Sequence, residues 1–222
     1  MGKKIAIIHT SLVFFQKELL LFQLLDEILP DVERKNIIDE TMLKDVMTRG
    51  SISADVIQRM CLYVLAAERM GVDAIFSVCS SLGPAADIAK KLVTIPLVKI
   101  DDGMTVKAAK EGKRITVMAT LPTTIKPTVN LIKENMDRFQ TQPEIREALA
   151  EGAFEFLMNG QTERHDQMVL EVAKKAATWS DMIVFAQGSM ARLAPSVSKA
   201  VMLPVLSSPR LGVEYLKKVI ES

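Results

Sequence analysis

Short apolar runs alternate with longer amphipathic segments along the first part of the chain. The runs that predict strands are residues 5–10, 34–38, 74–78 and 96–100. The segments that predict helices are residues 16–29 and 52–70, with a third helix ending near residue 92. Pro30 and Gly71 follow the first two helices and are residue types that end helices. Strands and helices that alternate in this way predict an α/β fold with a doubly wound parallel sheet.

The pattern of the first part repeats in the second part. Two matches carry the repeat: residues 115–120 with residues 5–10, at an offset of 110, and residues 181–206 with residues 73–98, at an offset of 108. At the second offset, Ser81 aligns with Ser189. Residues 139–178, which lie between the matched parts, are mostly helical by pattern. The repeat predicts an internal duplication of a strand–helix half.

The duplication predicts two pseudo-symmetric, flavodoxin-like lobes, each with a parallel sheet flanked by helices. The first lobe is predicted to hold residues 1–101 and 210–222, and the second residues 102–209. Ligands of such sheets bind beyond the carboxyl ends of the strands. We expect the strand ends of both lobes to line one shared cleft, with Thr10, Ser11, Cys79, Ser80, Ser81, Thr120, Thr123, Thr124, Gln187, Gly188 and Ser189.

The thiol of Cys79 is the main candidate for chemistry at these strand ends. Cys79 follows an apolar strand and precedes a predicted helix, with Ser80 and Ser81 directly after it. The N–H groups of a helix start favour a thiolate, lowering the pKa of a cysteine from about 8.5, and can hold a carboxylate. We expect a working thiol, the alternative being a buried, inert cysteine. Cys61 lies on the apolar face of its helix and is expected to fill the core.

Composition narrows the range of functions. The chain has 222 residues, with 28 Lys and Arg against 27 Asp and Glu, and lacks the basic stripe of nucleic-acid binders. No apolar run reaches membrane-spanning length, and the first residues lead into a strand pattern rather than a signal peptide. Two cysteines give no disulfide framework, which favours a cytoplasmic protein. Without a glycine-rich phosphate loop or a metal-spaced Cys and His cluster, neither cofactor nor metal is expected.

Three segments resemble the aspartate/glutamate/hydantoin racemase superfamily. They are the cysteine and two serines of residues 79–81, the Ala-Thr-x-x-Thr turn within residues 119–124, and residues 160–162 followed by a helix and residues 181–189. The resemblance implies an enzyme without a cofactor, in which two cysteines on opposite faces of a small acid move a proton next to its carboxylate. It assigns Cys79 as the first thiol. It also implies that Ser80, Ser81, Thr120 and Thr123 hold the carboxylate, while Thr10 and Ser11 line the same cleft.

The sequence departs from this family at the second thiol, because Gln187 stands in its place. An amide does not titrate at neutral pH, so two-thiol racemisation is not available, although an amide can position a substrate or stabilise an oxyanion. His165 is a candidate second acid/base group, the alternative being a solvated histidine at a helix start. His9, Lys99 and Lys126 are further candidates. Arg210 could clamp a second carboxylate, the alternative being a surface salt bridge.

These residues together predict a cofactor-independent isomerase of the amino-acid racemase type, which acts on a small carboxylic acid with Cys79 as acid/base. One alternative is a single-thiol decarboxylase of a malonate-like acid, because relatives with one cysteine at the other position are known as decarboxylases. The other is a protein that binds a carboxylic acid without turning it over. We expect a homo-oligomer, dimers being commonest, with no nucleic-acid or membrane partner.

Overall fold

The computed structural model describes residues 2–12 and 20–222. The chain divides into two compact units, Met1–Gly103 with Pro209–Ser222, and Met104–Ser208. The described residues of each unit form one parallel sheet of four strands with helices around it, which confirms the predicted α/β class. Among the described helices, none is long and apolar enough to cross a membrane. The predicted lobe boundaries stay a prediction.

The first unit contains the sheet β2-β1-β3-β4. Its strands are β1 (Lys4–His9), β2 (Glu33–Ile38), β3 (Ala74–Ser77) and β4 (Leu97–Lys99). Its helices are α1 (Leu20–Ile28), α2 (Met42–Arg49), α3 (Ala54–Arg69) and α4 (Gly83–Ala89), with short 3-10 turns at Ser80–Leu82 and Lys90–Leu92. The predicted helix over residues 16–29 is therefore seen from Leu20 onwards, and its earlier residues lie outside the described part of the chain.

The second unit repeats this topology in the sheet β6-β5-β7-β8. Its strands are β5 (Arg114–Ala119), β6 (Glu144–Leu149), β7 (Met182–Phe185) and β8 (Val205–Ser207). The first helix, α5 (Asp102–Glu111), precedes the first strand of this sheet. The other helices are α6 (Pro122–Phe139), α7 (Ala153–Met158), α8 (Thr162–Ala177) and α9 (Ala194–Val201), with a 3-10 turn at Gly188–Leu193. Ile5 pairs with Ala74 in the first sheet and Ile115 with Met182 in the second. These pairs keep the offsets of 110 and 108, so the predicted duplication is confirmed within the sheets.

The central strands are buried on both faces, which is why their sequences are continuous apolar runs. In β1, Ile5 and Ile7 face a core that includes α1, whereas Ala6 and Ile8 face a core that includes α2 and α3. The register of such a strand is fixed, because a slip by one residue would move every side chain to the other face. The position at which each strand ends is therefore also fixed.

The sequence pattern missed one strand of the second unit. Residues 139–178 are mostly helical, as expected, but β6 (Glu144–Leu149) also lies among them and pairs in parallel with β5. This strand is at the edge of its sheet and carries Glu144, Arg146 and Glu147, all exposed. An edge strand needs no apolar run, so the pattern that found the central strands did not find this one.

The last helix, α10 (Ser208–Glu221), packs on the first unit. Val213, Leu216 and Ile220 of α10 are buried in the same core as Ile5 and Ile7. A glycine allows this close approach: a Cβ atom on Gly212 would lie 2.3 Å from the carbonyl oxygen of Ile100, just beyond β4. Because the clash would be with backbone, it could be relieved only by moving the helix.

We expect Gly212→Ala to lower the free energy of unfolding by about 1–3 kcal/mol through overpacking, although alanine is the better helix former. Urea unfolding followed by circular dichroism measures this difference. Gly83→Ala is the matched control, because a Cβ there would meet the nearest side-chain atom at 3.8 Å with an ordinary helical φ of −48°. The control should change stability by less than about 1 kcal/mol. Equal stability of both variants would contradict the close approach of α10.

Candidate functional site

The candidate site of the first unit lies where β1 and β3 end side by side. The N–H of Val78 donates to the carbonyl of Ile8 at 3.2 Å, so the two strands stay paired beyond the last residue of β3. Cys79 follows with extended backbone, φ −147° and ψ 116°, and the 3-10 turn Ser80–Leu82 begins directly after it. A strand held by its buried neighbours thus presents the thiol at the start of a helical segment, beside Thr10.

Three polar groups among the described residues lower the pKa of the Cys79 thiol. They are the hydroxyl of Thr10 and the N–H groups of Ser81 and Leu82, and the N–H of Leu82 also donates to the carbonyl of Cys79 at 3.3 Å. Burial is the largest effect, however, and raises that pKa, while the charge of Asp101 raises it further. The expected lowering of the pKa is therefore wrong, because desolvation outweighs the helix start. Burial thus favours the thiol form of Cys79, whereas Thr10, Ser81 and Leu82 favour the thiolate.

The residues around the thiol differ in exposure. Cys79 is partly exposed, which leaves it within reach of a small molecule. Ser11 is also partly exposed, whereas Ser80 and Ser81 are buried at the start of the 3-10 turn. The proposed role of these serines as carboxylate ligands stays a prediction.

Gln187 has the corresponding place in the second unit. It follows β7 with φ −143° and ψ 134°, close to the values of Cys79, and the 3-10 turn Gly188–Leu193 begins after it. The N–H of Ala186 donates to the carbonyl of Met118 at 2.8 Å, as Val78 does to Ile8 in the first unit. The same local backbone therefore carries a thiol in one unit and an amide in the other.

The amide of Gln187 is held in one orientation. Its oxygen accepts from the N–H of Thr120 at 2.7 Å, from the N–H of Leu121 at 2.8 Å and from the Thr120 hydroxyl at 3.0 Å. Only the oxygen can accept from two backbone N–H groups, so the NH₂ group must point the other way. That nitrogen is 3.4 Å from the hydroxyl of Ser189, a long hydrogen bond. Gln187 therefore offers donors, and no acceptor, to a ligand.

Two of the predicted carboxylate ligands in the second unit, Thr120 and Thr124, make hydrogen bonds inside that unit. The N–H and hydroxyl of Thr120 bind Gln187, and the hydroxyl of Thr124 donates to the carbonyl of Leu121 at 2.9 Å. Both threonines are thus engaged inside the unit and buried. Thr123 and Gly188 are partly exposed.

His165 lies in the first turn of α8 and is completely buried, so the alternative of a solvated histidine is wrong. Its Nδ1 is 2.8 Å from a carboxylate oxygen of Asp166, which also binds Arg192 at 2.7 Å. Its Nε2 is buried and finds no hydrogen-bond partner among the described residues. A carboxylate at Nδ1 fixes the ring tautomer and leaves Nε2 as the nitrogen that could accept a proton. The catalytic role of His165 stays a prediction.

Two of the three further candidates, His9 and Lys99, have structural partners. The Nε2 of His9 is 2.9 Å from the Asn36 side-chain oxygen, and burial lowers the pKa of His9. The ammonium of Lys99 is buried and donates to Asp87 at 2.7 Å. Lys126 is exposed on α6.

Arg210 forms a surface salt bridge, which was the alternative to its predicted role in binding a substrate carboxylate. Its two terminal nitrogens donate to the two carboxylate oxygens of Glu27, at 2.9 and 2.7 Å, and both side chains are about half exposed. The two-pronged geometry expected for a substrate carboxylate is thus used on Glu27.

Sequence reasoning missed Asp101, a buried carboxylate close to the thiol. Asp101 is 4% exposed, follows β4, and its charge acts on Cys79. The signal was present, because two aspartates follow an apolar run at residues 101–102, but this segment was predicted only as the boundary between the two lobes. A charged pair directly after a buried strand is the pattern that could have found it.

Solved structures with the same fold cover nearly the whole chain. Glutamate racemase from Bacillus anthracis is 15% identical with a TM-score of 0.76, over 99% of this chain and 82% of that one. Allantoin racemase from Klebsiella pneumoniae is 17% identical with a TM-score of 0.66, over 99% and 88%. Unliganded arylmalonate decarboxylase is 12% identical with a TM-score of 0.58, over 99% and 93%. At these identities the likeness shows the fold alone.

Sequence comparison gives the family. No curated protein sequence matches the chain. The family model described as Asp/Glu/Hydantoin racemase matches residues 21–216, which is most of the chain and includes both Cys79 and Gln187. With two four-stranded parallel sheets of the same order and this match, the chain belongs to the Asp/Glu/hydantoin racemase family.

Proposed function

We propose that this protein is a cofactor-independent isomerase that moves a proton at the carbon next to the carboxylate of a small acid, with Cys79 as its acid/base group. The observation that carries the proposal is the partly exposed Cys79 just beyond β3, at the start of a 3-10 turn, where Thr10, Ser81 and Leu82 each lower the pKa of its thiol. Membership of a racemase family supports the isomerase class.

The proposed proton transfer uses the thiol in both of its states. As a thiolate, Cys79 removes the proton: the C–H bond breaks, an S–H bond forms, and the electron pair moves into the carboxylate to give an enediolate. As a thiol, it returns a proton to the same carbon. The Thr10 hydroxyl and the N–H groups of Ser81 and Leu82 stabilise the thiolate between these steps.

The substrate carboxylate is proposed to bind at the start of the 3-10 turn, at Ser80 and Ser81, with Ser11 beside it. Helix-start N–H groups and hydroxyls are suited to an anion. Arg210 is left out of this set, because its guanidinium is bound to Glu27.

In the second unit, the group proposed to contact substrate is the NH₂ of Gln187, with Gly188, Ser189 and Thr123 around it. Gln187 supplies donors to an oxyanion but no proton acceptor, so inversion of configuration requires another base. His165 is proposed for that role, because its Nε2 is the nitrogen without a partner among the described residues. That the strand ends of both units serve one substrate stays a prediction.

A decarboxylase is the second candidate function. The raised pKa of Cys79 favours it, because a thiol that rests protonated is ready to protonate the carbanion left by loss of CO₂. A similar structure, arylmalonate decarboxylase, is named for that reaction.

The proposal also includes a homo-oligomeric assembly, a cytoplasmic location and the lobe boundaries predicted from the sequence.

We expect Cys79→Ser to reduce turnover by at least about 10²-fold, because a hydroxyl is a far weaker acid than a thiol at the same position. The assay offers a panel of small chiral and malonate-like acids, and follows optical rotation and CO₂ release. Loss of rotation signals the isomerase, and CO₂ release signals the lyase. Cys61→Ser is the matched control and should retain activity. Full activity of Cys79→Ser would sink both enzyme proposals, and binding without turnover by the parent protein would leave the binding-protein alternative.

We expect Gln187→Glu to fold normally, because a carboxylate oxygen can accept the same bonds from Thr120 and Leu121. It removes the NH₂ donors and adds a negative charge, so turnover of an anionic acid should fall by about 10²-fold. Gln167→Glu, on the exposed face of α8, is the matched control and should leave turnover unchanged. Steady-state kinetics with a thermal melt separates lost activity from lost folding. A Gln187→Glu protein with normal kinetics would remove Gln187 from the site.

A further inference from the structure

Asp101 lies next to Cys79 because of how β3 and β4 pair. The last pair of these strands is Ser77 with Lys99, and the N–H of Ile100 then donates to the carbonyl of Ser77 at 2.9 Å. Cys79 and Asp101 each lie two residues beyond that last pair. Cys79 and Asp101 therefore follow neighbouring strands at the carboxyl end of the sheet in the first unit, and the charge of Asp101 acts on the thiol.

Among the described residues that act on the pKa of the Cys79 thiol, one is charged, namely Asp101. From β1 comes the neutral hydroxyl of Thr10, and from the 3-10 turn come two backbone N–H groups. The carboxylate of Asp101 arrives from the end of β4, and Asp101 is 4% exposed, so water screens its charge little. The charge of Asp101 opposes ionisation of the thiol and acts in the same direction as burial.

Asp39 provides a comparison at the same end of the sheet. It follows β2, which is separated from β3 by β1, and its N–H donates to the carbonyl of His9 at 2.9 Å. Its carboxylate is neutralised by Arg59 at 2.9 Å and accepts from the hydroxyl of Tyr63 at 2.8 Å. A paired carboxylate two strands away should have little effect on Cys79.

We propose that Asp101 is a positioning residue whose charge, in addition to burial, disfavours the thiolate of Cys79, so that the thiol acts first as a proton donor. The inference rests on the proposed function and deepens it. In the donating step the S–H bond breaks, a C–H bond forms from the electron pair of a carbanion or enediolate, and the sulfur keeps its electrons as a thiolate. Water then returns a proton to the sulfur. A substrate that presents such a carbanion, as a malonate-like acid does on losing CO₂, fits this order of events.

The test is the pH dependence of Cys79 alkylation by iodoacetamide, in a Cys61→Ser background so that one thiol reports. In the parent, the midpoint should lie above the value of about 8.5 for a free cysteine. Asp101→Asn removes the charge at nearly constant shape and should lower the midpoint by roughly one pH unit. Below the midpoint, alkylation should become only about threefold faster, because a thiolate of lower pKa is a weaker nucleophile.

Two variants complete the design. Asp101→Glu keeps the charge and should keep the high midpoint, and Asp39→Asn, an equal change of charge two strands away, should leave the profile unchanged. Asp101→Ser is the second neutral variant if Asp101→Asn does not fold. A parent midpoint at or below that of free cysteine, or equal midpoints for Asp101→Asn and the parent, would overturn the inference. Alkylation needs no substrate, so these results are independent of whether Cys79→Ser loses turnover.

Discussion

Parallel pairing of the first and third strands of each sheet is the constraint on which the candidate site depends. The pairing of β1 with β3 leaves Thr10 beside Cys79, and that of β5 with β7 leaves Thr120 beside Gln187. Because these strands are buried on both faces, packing fixes their register. Polar groups that follow them must find their partners at the same edge, since a buried polar group without a partner is costly.

The two units build this edge in a similar way and with different chemistry. In both, a threonine follows the first strand beside the residue that follows the third: Thr10 lowers the pKa of the Cys79 thiol, and Thr120 donates to the oxygen of Gln187. Backbone N–H groups act in the same direction in each unit. A thiol titrates and an amide does not, so the first unit carries acid–base capability at this position while the second offers fixed hydrogen-bond donors.

Apolar runs were sufficient to predict the central strands, the duplication and the positions of Cys79 and Gln187. A strand that is buried on both faces consists of consecutive apolar residues, and such a run is visible in the sequence. Edge strand β6 was missed, since half-exposed strands tolerate charged residues. The raised pKa of Cys79 and the burial of His165 were not predictable, because each depends on residues distant in sequence. Asp101 was missed although two aspartates follow an apolar run there. The sequence pattern indicated a helix start beside the thiol, but desolvation depends on tertiary packing.

The central claim is that Cys79 exchanges a proton with the carbon next to a carboxylate. The most direct measurement is incorporation of deuterium at that carbon, followed by NMR, when the protein and a small acid that it binds are incubated in D₂O. The account predicts incorporation of deuterium by the parent protein, with or without inversion or loss of CO₂, and none by the Cys79→Ser variant. Incorporation at the same rate by both proteins, or by neither while the acid is bound, would contradict it.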